Sequence, residues 1–255
     1  MKCVQLVFSP TGGTKKVSEA ITGAWGGAVE TVDLTNAALD FSGIEFQKED
    51  LVLISVPSFG GRVPGLAAER IGMVHGNGAC CVLVCVYGNR AYEDTLVELS
   101  DIAGKGGFRV LSAVAAVAEH SIMHQYAAGR PDSKDIQQLR DISGKILEKF
   151  RQAADTFPLV VLPGNRPYKK SGGAMMVPKA GKKCVGCGLC ASECPAQAIS
   201  RDSLKTADAK KCISCMRCVE KCPHGARSIN QAMVSAAALV IKKACSVPKE
   251  CELFL

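Results

Sequence analysis

Along the first 155 residues, short apolar runs rich in β-branched residues alternate with stretches whose apolar positions recur every three or four residues. That alternation is the pattern of β-α units that wrap a parallel sheet. It predicts strands at about 2–8, 29–34, 50–56, 79–87 and 108–118, and helices at about 14–25, 64–73, 91–104 and 132–154. KCVQLVF, DLVLISV and ACCVLVCVY are nearly continuous apolar runs, as expected when helices cover both faces of a sheet. The expectation is one doubly wound α/β domain, residues 1–155, with a parallel five-stranded sheet. Residues 156–183 break the pattern with prolines at 158, 163, 167 and 178 and a glycine pair at 172–173, and read as an extended, partly docked linker. Beyond it the chain repeats itself: CVGCGLCASECPAQAIS from Cys184 and CISCMRCVEKCPHGARSI from Cys212, offset by 28 residues. The repeat predicts a small duplicated module over 184–255, ending in an Ala-rich helix at about 229–243.

Composition adds bounds. The 255 residues are 47% hydrophobic and 22% charged, enough for a substantial core and against disorder. The longest apolar run, Ala79 to Tyr87, is too short to span a membrane, and the start MKCVQLVFSPTGG lacks the features of a secretion signal. A cytoplasmic chain without membrane insertion is expected. In a reducing compartment, metal binding is the natural use for many of its 14 cysteines. Eight of them lie between positions 184 and 222. Cys3, Cys80, Cys81 and Cys85 fall in predicted strands, where cysteine packs as a small hydrophobe, and Cys245 and Cys251 read as free thiols. Charge is uneven too: residues 1–169 carry 17 Lys+Arg against 18 Asp+Glu, and residues 170–255 carry 14 against 6.

Both cysteine runs read C-x2-C-x2-C-x3-C-P and resemble two-cluster bacterial ferredoxins over about residues 180–230. In that run three close thiolates hold one cubane and the fourth reaches the other cubane. The resemblance implies two [4Fe-4S] clusters, one on Cys184, Cys187, Cys190 and Cys222, the other on Cys212, Cys215, Cys218 and Cys194. Four-cysteine zinc sites are the alternative, but they normally show two separated C-x2-C knuckles. Each oxidised cluster is formally about −2, so Lys182, Lys183, Lys210 and Lys211 are read as balancing the clusters or steering an acidic redox partner. Nucleic acid is not the expected partner.

In the first domain, Ser9, Thr11, Gly12, Gly13 and Thr14 lie between a predicted strand and a helix, where hydroxyls and amides make an anion cradle. The loop is neither a Walker motif nor a G-x-G-x-x-G fingerprint. Two more loops end predicted strands, where doubly wound sheets bind ligands: Ser55 to Arg62, with Ser58, Phe59, Gly60 and Gly61, and Tyr87-Gly88-Asn89-Arg90-Ala91-Tyr92. These loops resemble those of flavodoxins. The first matches T/S-x-T-G-x-T with Gly13 where Asn is common. The last matches G-D-x-x-Y with Asn89 for Asp. The resemblance implies FMN, with Tyr92 stacking on its ring and Phe59 or Tyr87 as weaker candidates. Asn89 and Arg90 make the site less acidic, which predicts a raised flavin potential. His120, in the A-E-H-S-I segment, is a candidate proton donor.

With S-F-G-G-R-V-P, A-A-G-R-P-D and the P-G-N-x-P-Y linker, the whole chain resembles the flavodoxin–ferredoxin fusion proteins of anaerobic bacteria. That resemblance implies an electron-transfer protein passing electrons between two clusters and FMN, and to or from a ferredoxin-type donor or an acceptor enzyme. The runner-up is an FMN reductase of an organic substrate fed through its own clusters. A zinc-binding module on a nucleotide-binding domain is the third reading.

Overall fold

The computed structural model describes residues 1–152, 157–170, 172 and 176–255. The first domain runs β1 (Cys3–Val7), α1 (Gly13–Thr22), β2 (Val29–Asp33), β3 (Leu51–Pro57), α2 (Gly65–Gly72), β4 (Cys80–Tyr87), α3 (Thr95–Lys105), β5 (Arg109–Val117) and α4 (Ser133–Gln152). Every predicted strand and helix of this part lies within a few residues of its expected place. The predicted end of α4 at 154 and parts of the linker, including Gly173, lie outside the described residues.

Burial explains why these segments are strands. All eight residues of β4 and six of the seven in β3 are buried, so each contributes side chains to both faces of the sheet. Cys80, Cys81 and Cys85 are among them, packed as hydrophobes. One core, with Leu6, Phe8, Ile54, Leu83 and Leu99, lies under α2 and α3. The other, with Val17, Ile21, Leu53, Val84 and Ile146, lies under α1 and α4. The Ser143 hydroxyl donates to the Ile21 carbonyl and fastens α4 to the end of α1.

The strand order is β2-β1-β3-β4-β5, parallel throughout, which is the flavodoxin-like doubly wound order. A sixth strand corrects the expectation of five. After β6 (Lys179–Ala180), α5 (Leu189–Ser192), α6 (Arg217–Glu220), β7 (Arg227–Ser228) and α7 (Gln231–Cys245) comes β8 (Glu252–Phe254), which pairs antiparallel with β5. The division at 184–255 therefore does not hold for the last residues: the chain returns and covers the edge of the first sheet. Three residues of E-L-F are too short for periodicity to betray a strand.

The cysteine-rich module is small: β6 and β7 pair antiparallel, and α5 and α6 are the same helical turn in the two repeats. It is fastened to the first domain by arginines. The buried Arg70 of α2 donates to the Leu34 carbonyl at 2.6 Å and the Pro195 carbonyl at 2.8 Å, and lies over the Phe41 ring. Arg217 of α6 pairs with Glu193 at 2.7 Å and reaches Asp33 at 3.9 Å. Asn230 caps α7 by accepting from the Ala232 and Met233 amides. α7 then packs on the segment after β5, where the Tyr126 hydroxyl donates to the Ala238 carbonyl at 2.7 Å.

Candidate functional site

The loops at the carboxyl ends of β1, β3, β4 and β5 enclose a cavity of about 450 Å³. Its first wall is the turn from β1 into α1, with Thr11, Gly13 and Thr14. Gly12 at the helix start has φ +92°, a left-handed conformation that favours glycine, and no side chain caps the helix there. The opening amides of a helix have no intrahelical partner, and Lys15 and Lys16 leave the first turn without a carboxylate. Such a turn suits an anion. Ser9 lies just behind it, its hydroxyl accepting from the Lys15 amide at 2.9 Å.

The second wall is the loop after β3, with Ser58, Phe59, Gly60 and Arg62. The Phe59 and Arg62 backbones pair in a tight turn that sets Phe59 against the cavity. Arg62 is fully engaged: it holds the Glu98 carboxylate with two nitrogens, donates to the Lys169 carbonyl and lies 4.9 Å from the centre of the Tyr168 ring. The Glu98 pair holds its guanidinium pKa above the usual value. Gly61 does not line the cavity; a Cβ there would collide with the Glu93 side chain, so it is the point where two loops press together.

The third wall corrects the sequence reading of Y-G-N-R-A-Y. Tyr87 and Gly88 line the cavity, whereas Asn89, Arg90 and Tyr92 do not. Asn89 is buried and holds the returning C-terminal segment, donating to the Cys245 and Val247 carbonyls and accepting from the Lys249 amide. Arg90 pairs with Glu93 at 2.9 Å. Tyr92 gives its hydroxyl to Glu252 and packs edge-on against Tyr87, with 5.1 Å between ring centres. Arg90 and Tyr92 belong to a separate recess shared with Lys249 and Glu252. Phe59 and Tyr87 are the rings at the cavity, and Arg90 acts on it only through its charge, which adds to the downward push on His120.

The fourth wall follows β5: Ala118, Glu119, His120, Ser121 and Ile122. His120 Nδ1 accepts from the Ile122 and Met123 amides, both at 3.2 Å, which assigns the proton to Nε2. Burial, then the neighbouring His124, push its pKa down and favour the neutral ring. A Cβ at Gly88 would meet the ring at 2.6 Å, so glycine here is what lets the imidazole stand where it does. Gly88→Ala is expected to displace His120 and to weaken binding of a ligand in the cavity, with FMN as the probe, by about 5- to 150-fold, the equivalent of an overpacking cost of about 1–3 kcal/mol. Quenching of FMN fluorescence on titration measures this, and an unchanged affinity would show that the ring position is immaterial.

The remaining wall comes from the far end of the chain: Cys212, Ile213, Ser214 and Cys215. Ile213 packs against the first-domain core, and the Ser214 hydroxyl donates to the Met176 carbonyl at 2.9 Å. The predicted ligand residues were readable in the second repeat; that two of them also face this cavity was not.

The eight clustered cysteines line two further recesses. One holds Cys184, Cys187, Cys190 and Cys222; the other holds Cys212, Cys215, Cys218 and Cys194. The fourth cysteine of each run thus crosses to the other recess. Gly186 and Gly188 in one run, and Ser214 and Met216 at the matching places in the other, all have positive φ, which turns the chain tightly between thiols. The Ala198 amide donates to Cys194 Sγ and the Ala226 amide to Cys222 Sγ, both at 3.3 Å. Burial pushes the Cys215 thiol up to about 12, whereas amide donors led by Ala226 pull Cys222 down. Among the described residues no three His, Cys, Asp or Glu side chains converge closely enough to hold a single metal ion. A four-thiolate set around a recess, with amides aimed at sulfur, fits a cubane with its thiolates at separate corners.

Residues 183–227 match the family model of the 4Fe-4S dicluster domain. A comparison with curated proteins found no match. Among solved structures, a flavodoxin from the domain Archaea is 16% identical with a TM-score of 0.43, the alignment covering 59% of this chain and 99% of that one. A flavodoxin of Streptococcus pneumonia TIGR4 is 16% identical with a TM-score of 0.40, covering 58% and 97%. The rubredoxin oxygen:oxidoreductase of Desulfovibrio gigas is 14% identical with a TM-score of 0.43, covering 59% of this chain and 36% of that one. By its strand order the first domain is flavodoxin-like, and by its family match the cysteine-rich segment is a 4Fe-4S domain. The two together resemble a flavodoxin–ferredoxin fusion, whose general class is the electron-transfer flavo-iron-sulfur proteins. Among the described residues no helix is long and apolar enough to cross a membrane.

Proposed function

We propose that this protein carries electrons between two [4Fe-4S] clusters and one FMN, and exchanges them with an external redox protein. The single observation behind this reading is the shared cavity: Cys212 and Cys215, two of the four thiols of one recess, line the same space as the anion-binding turn and Phe59. A cavity of about 450 Å³ has the size of a site for one small ligand. When bound, FMN exchanges electrons singly or in pairs and each cubane passes one.

In this reading the α1 turn, with Thr11, Gly13 and Thr14, takes the phosphate, and Ser9 and Gly12 shape the turn from behind. Ser58, Phe59, Gly60, Tyr87 and Gly88 border the ring system. His120 presents its Nε2 proton from the β5 side. Cys194, Cys212, Cys215 and Cys218 hold the cluster next to the flavin. Cys184, Cys187, Cys190 and Cys222 hold the outer one. Cys184 and Cys187 are exposed and follow the exposed Lys182 and Lys183. An acidic ferredoxin-type partner fits that end, with electrons running from the outer cluster through the inner one to the flavin cavity. The reductase reading is weaker because Arg62 is consumed by Glu98 and Lys169, and Arg90 faces away, so neither guanidinium is left for an organic substrate.

Reductive titration of anaerobically purified protein, followed by absorbance, tests the reading. Uptake of about four electrons is expected, two into FMN and one into each cluster. Uptake of about two, with flavin bands alone changing, would refute it.

A further inference from the structure

The two repeats differ at one buried place. Ala198 and Ala226 occupy matching positions, each donating its amide to the preceding cysteine sulfur at 3.3 Å. The next residue is Ile199 in the first repeat and Arg227 in the second, 6% and 3% exposed. An isoleucine there is ordinary packing. An arginine is not, because a buried charge needs a counter-charge or a full set of hydrogen bonds.

Arg227 has neither within the protein. Nη1 donates to the Leu204 carbonyl at 2.7 Å and Nη2 to the Pro178 carbonyl at 2.9 Å. Nε is buried with no hydrogen-bond partner. Among the described residues no carboxylate pairs with it, although the neighbouring Arg217 has two. What the guanidinium meets instead is sulfur. Nη1 lies 3.6 Å from Cys190 Sγ, in the outer recess, and Arg227 itself lines that recess with Cys222. Its other side reaches the inner recess: Pro178, whose carbonyl accepts from Nη2, lines that recess with Cys212 and Cys218. One cation thus stands between two thiol sets.

We infer that Arg227 is the shared counter-charge of the two clusters, raising the reduction potential of both and keeping them close enough in energy to pass electrons between them. The inference rests on the proposed cluster assignment and adds a residue that is not a ligand. An oxidised cubane on four thiolates is anionic and gains a further negative charge on reduction, so a fixed cation nearby favours the reduced form. The low dielectric of the burial site strengthens the effect, and the central position applies it to both clusters. The same countercharge accounts for the survival of an unpaired arginine where its repeat-mate is Ile199.

The test compares wild type, Arg227→Met and Arg227→Lys as anaerobically purified full-length proteins. Iron and sulfide are assayed first, and cluster midpoint potentials are then measured by redox titration with electron paramagnetic resonance of the reduced clusters. In Arg227→Met both midpoints are expected to move to more negative potential, and Arg227→Lys is expected to restore them most of the way. Loss of clusters in the methionine variant, with retention in the lysine variant, equally supports a requirement for charge. Unmoved midpoints in a fully loaded Arg227→Met, a shift confined to one cluster, or equal loss of clusters from both variants would overturn the inference. Wild type without iron–sulfur signals would instead refute the cluster assignment, which keeps the two failures apart.

Discussion

Replacing Cys194 by serine is expected to empty the inner recess, although Cys194 stands in the first cysteine run. Its thiol shares a recess with Cys212, Cys215 and Cys218, all from the second run. About four of about eight irons should be lost, and reductive uptake should fall by about one electron. Disturbing a group that merely orients a metal ligand already costs about 10–100-fold in affinity, so deleting a ligand costs at least that. Because this recess adjoins the cavity through Cys212 and Cys215, reduction of the proposed FMN by an external donor should slow by about two orders of magnitude or more. Cys222→Ser is the mirror case: it empties the outer recess, and the inner cluster should still exchange electrons with the flavin when reduced directly by a small reductant. Iron analysis with stopped-flow absorbance separates the two. If Cys194→Ser kept full iron content and wild-type flavin reduction, the crossed assignment would be wrong.

That crossing was legible in the chain because the duplicated spacing repeats a ligand pattern with known chemistry. The sheet was legible for a different reason: β3 and β4 are buried on both sides, so their sequences are nearly continuous apolar runs that mark strands without reference to anything else. What escaped were contacts made at long range. Asn89 and Tyr92 look like site residues when only their loop is read. Their side chains are claimed by residues more than 150 positions away, the Cys245 and Val247 carbonyls and the Glu252 carboxylate. The returning segment carries no local mark of this, because β8 is three residues long and α7 ends in ordinary lysines. Lys249 and Glu252 of that segment form a second recess with Arg90 and Tyr92, apart from the cavity. The same kind of contact made a wall of the cavity from Cys212–Cys215. Spacing identified those residues as ligand candidates but carried no information about which face of the module meets the first domain.

The second large effect is expected at Asp94, where a linker rather than a cofactor is held. Asp94 is 1% exposed and precedes α3, yet its carboxylate does not cap that helix. It accepts instead from the Lys169 amide at 2.7 Å, the Asn165 amide at 2.9 Å and Asn165 Nδ2 at 3.1 Å. Its own amide donates to the Gly61 carbonyl, so one residue ties the P-G-N-x-P-Y segment to the cavity loop. The fit is close on the other side too: Gly164 has φ +130°, and a Cβ there would meet Val97 Cγ1 at 2.5 Å.

Asp94→Ala removes an ionised acceptor and strands three donors, each bond to a charged group being worth about 1.5–3 kcal/mol without full additivity. A loss of about 3–5 kcal/mol in unfolding free energy follows, readable by urea denaturation, together with faster proteolysis within 157–170. The pH dependence supplies the control. Hydrogen bonds, the Lys169 amide foremost, hold the Asp94 carboxyl below the usual carboxylate range against the opposing effect of burial. The folded value is therefore lower than the unfolded one, near 3.9. Above about pH 5 the unfolded chain binds almost no proton at this group and its stabilisation is complete; it declines as pH falls through the unfolded value and is lost below the folded one. The difference between wild type and Asp94→Ala should accordingly be constant near neutrality and shrink progressively below about pH 5. A difference that stayed constant through acid would mean that the carboxylate's charge does not hold the linker. Since that linker leads to Gly172 at the cavity and to Met176, which accepts from Ser214, loosening it should also loosen the wall carrying Cys212 and Cys215. Slower electron exchange between the proposed clusters and FMN, with cofactor content unchanged, is the functional signature expected of Asp94→Ala.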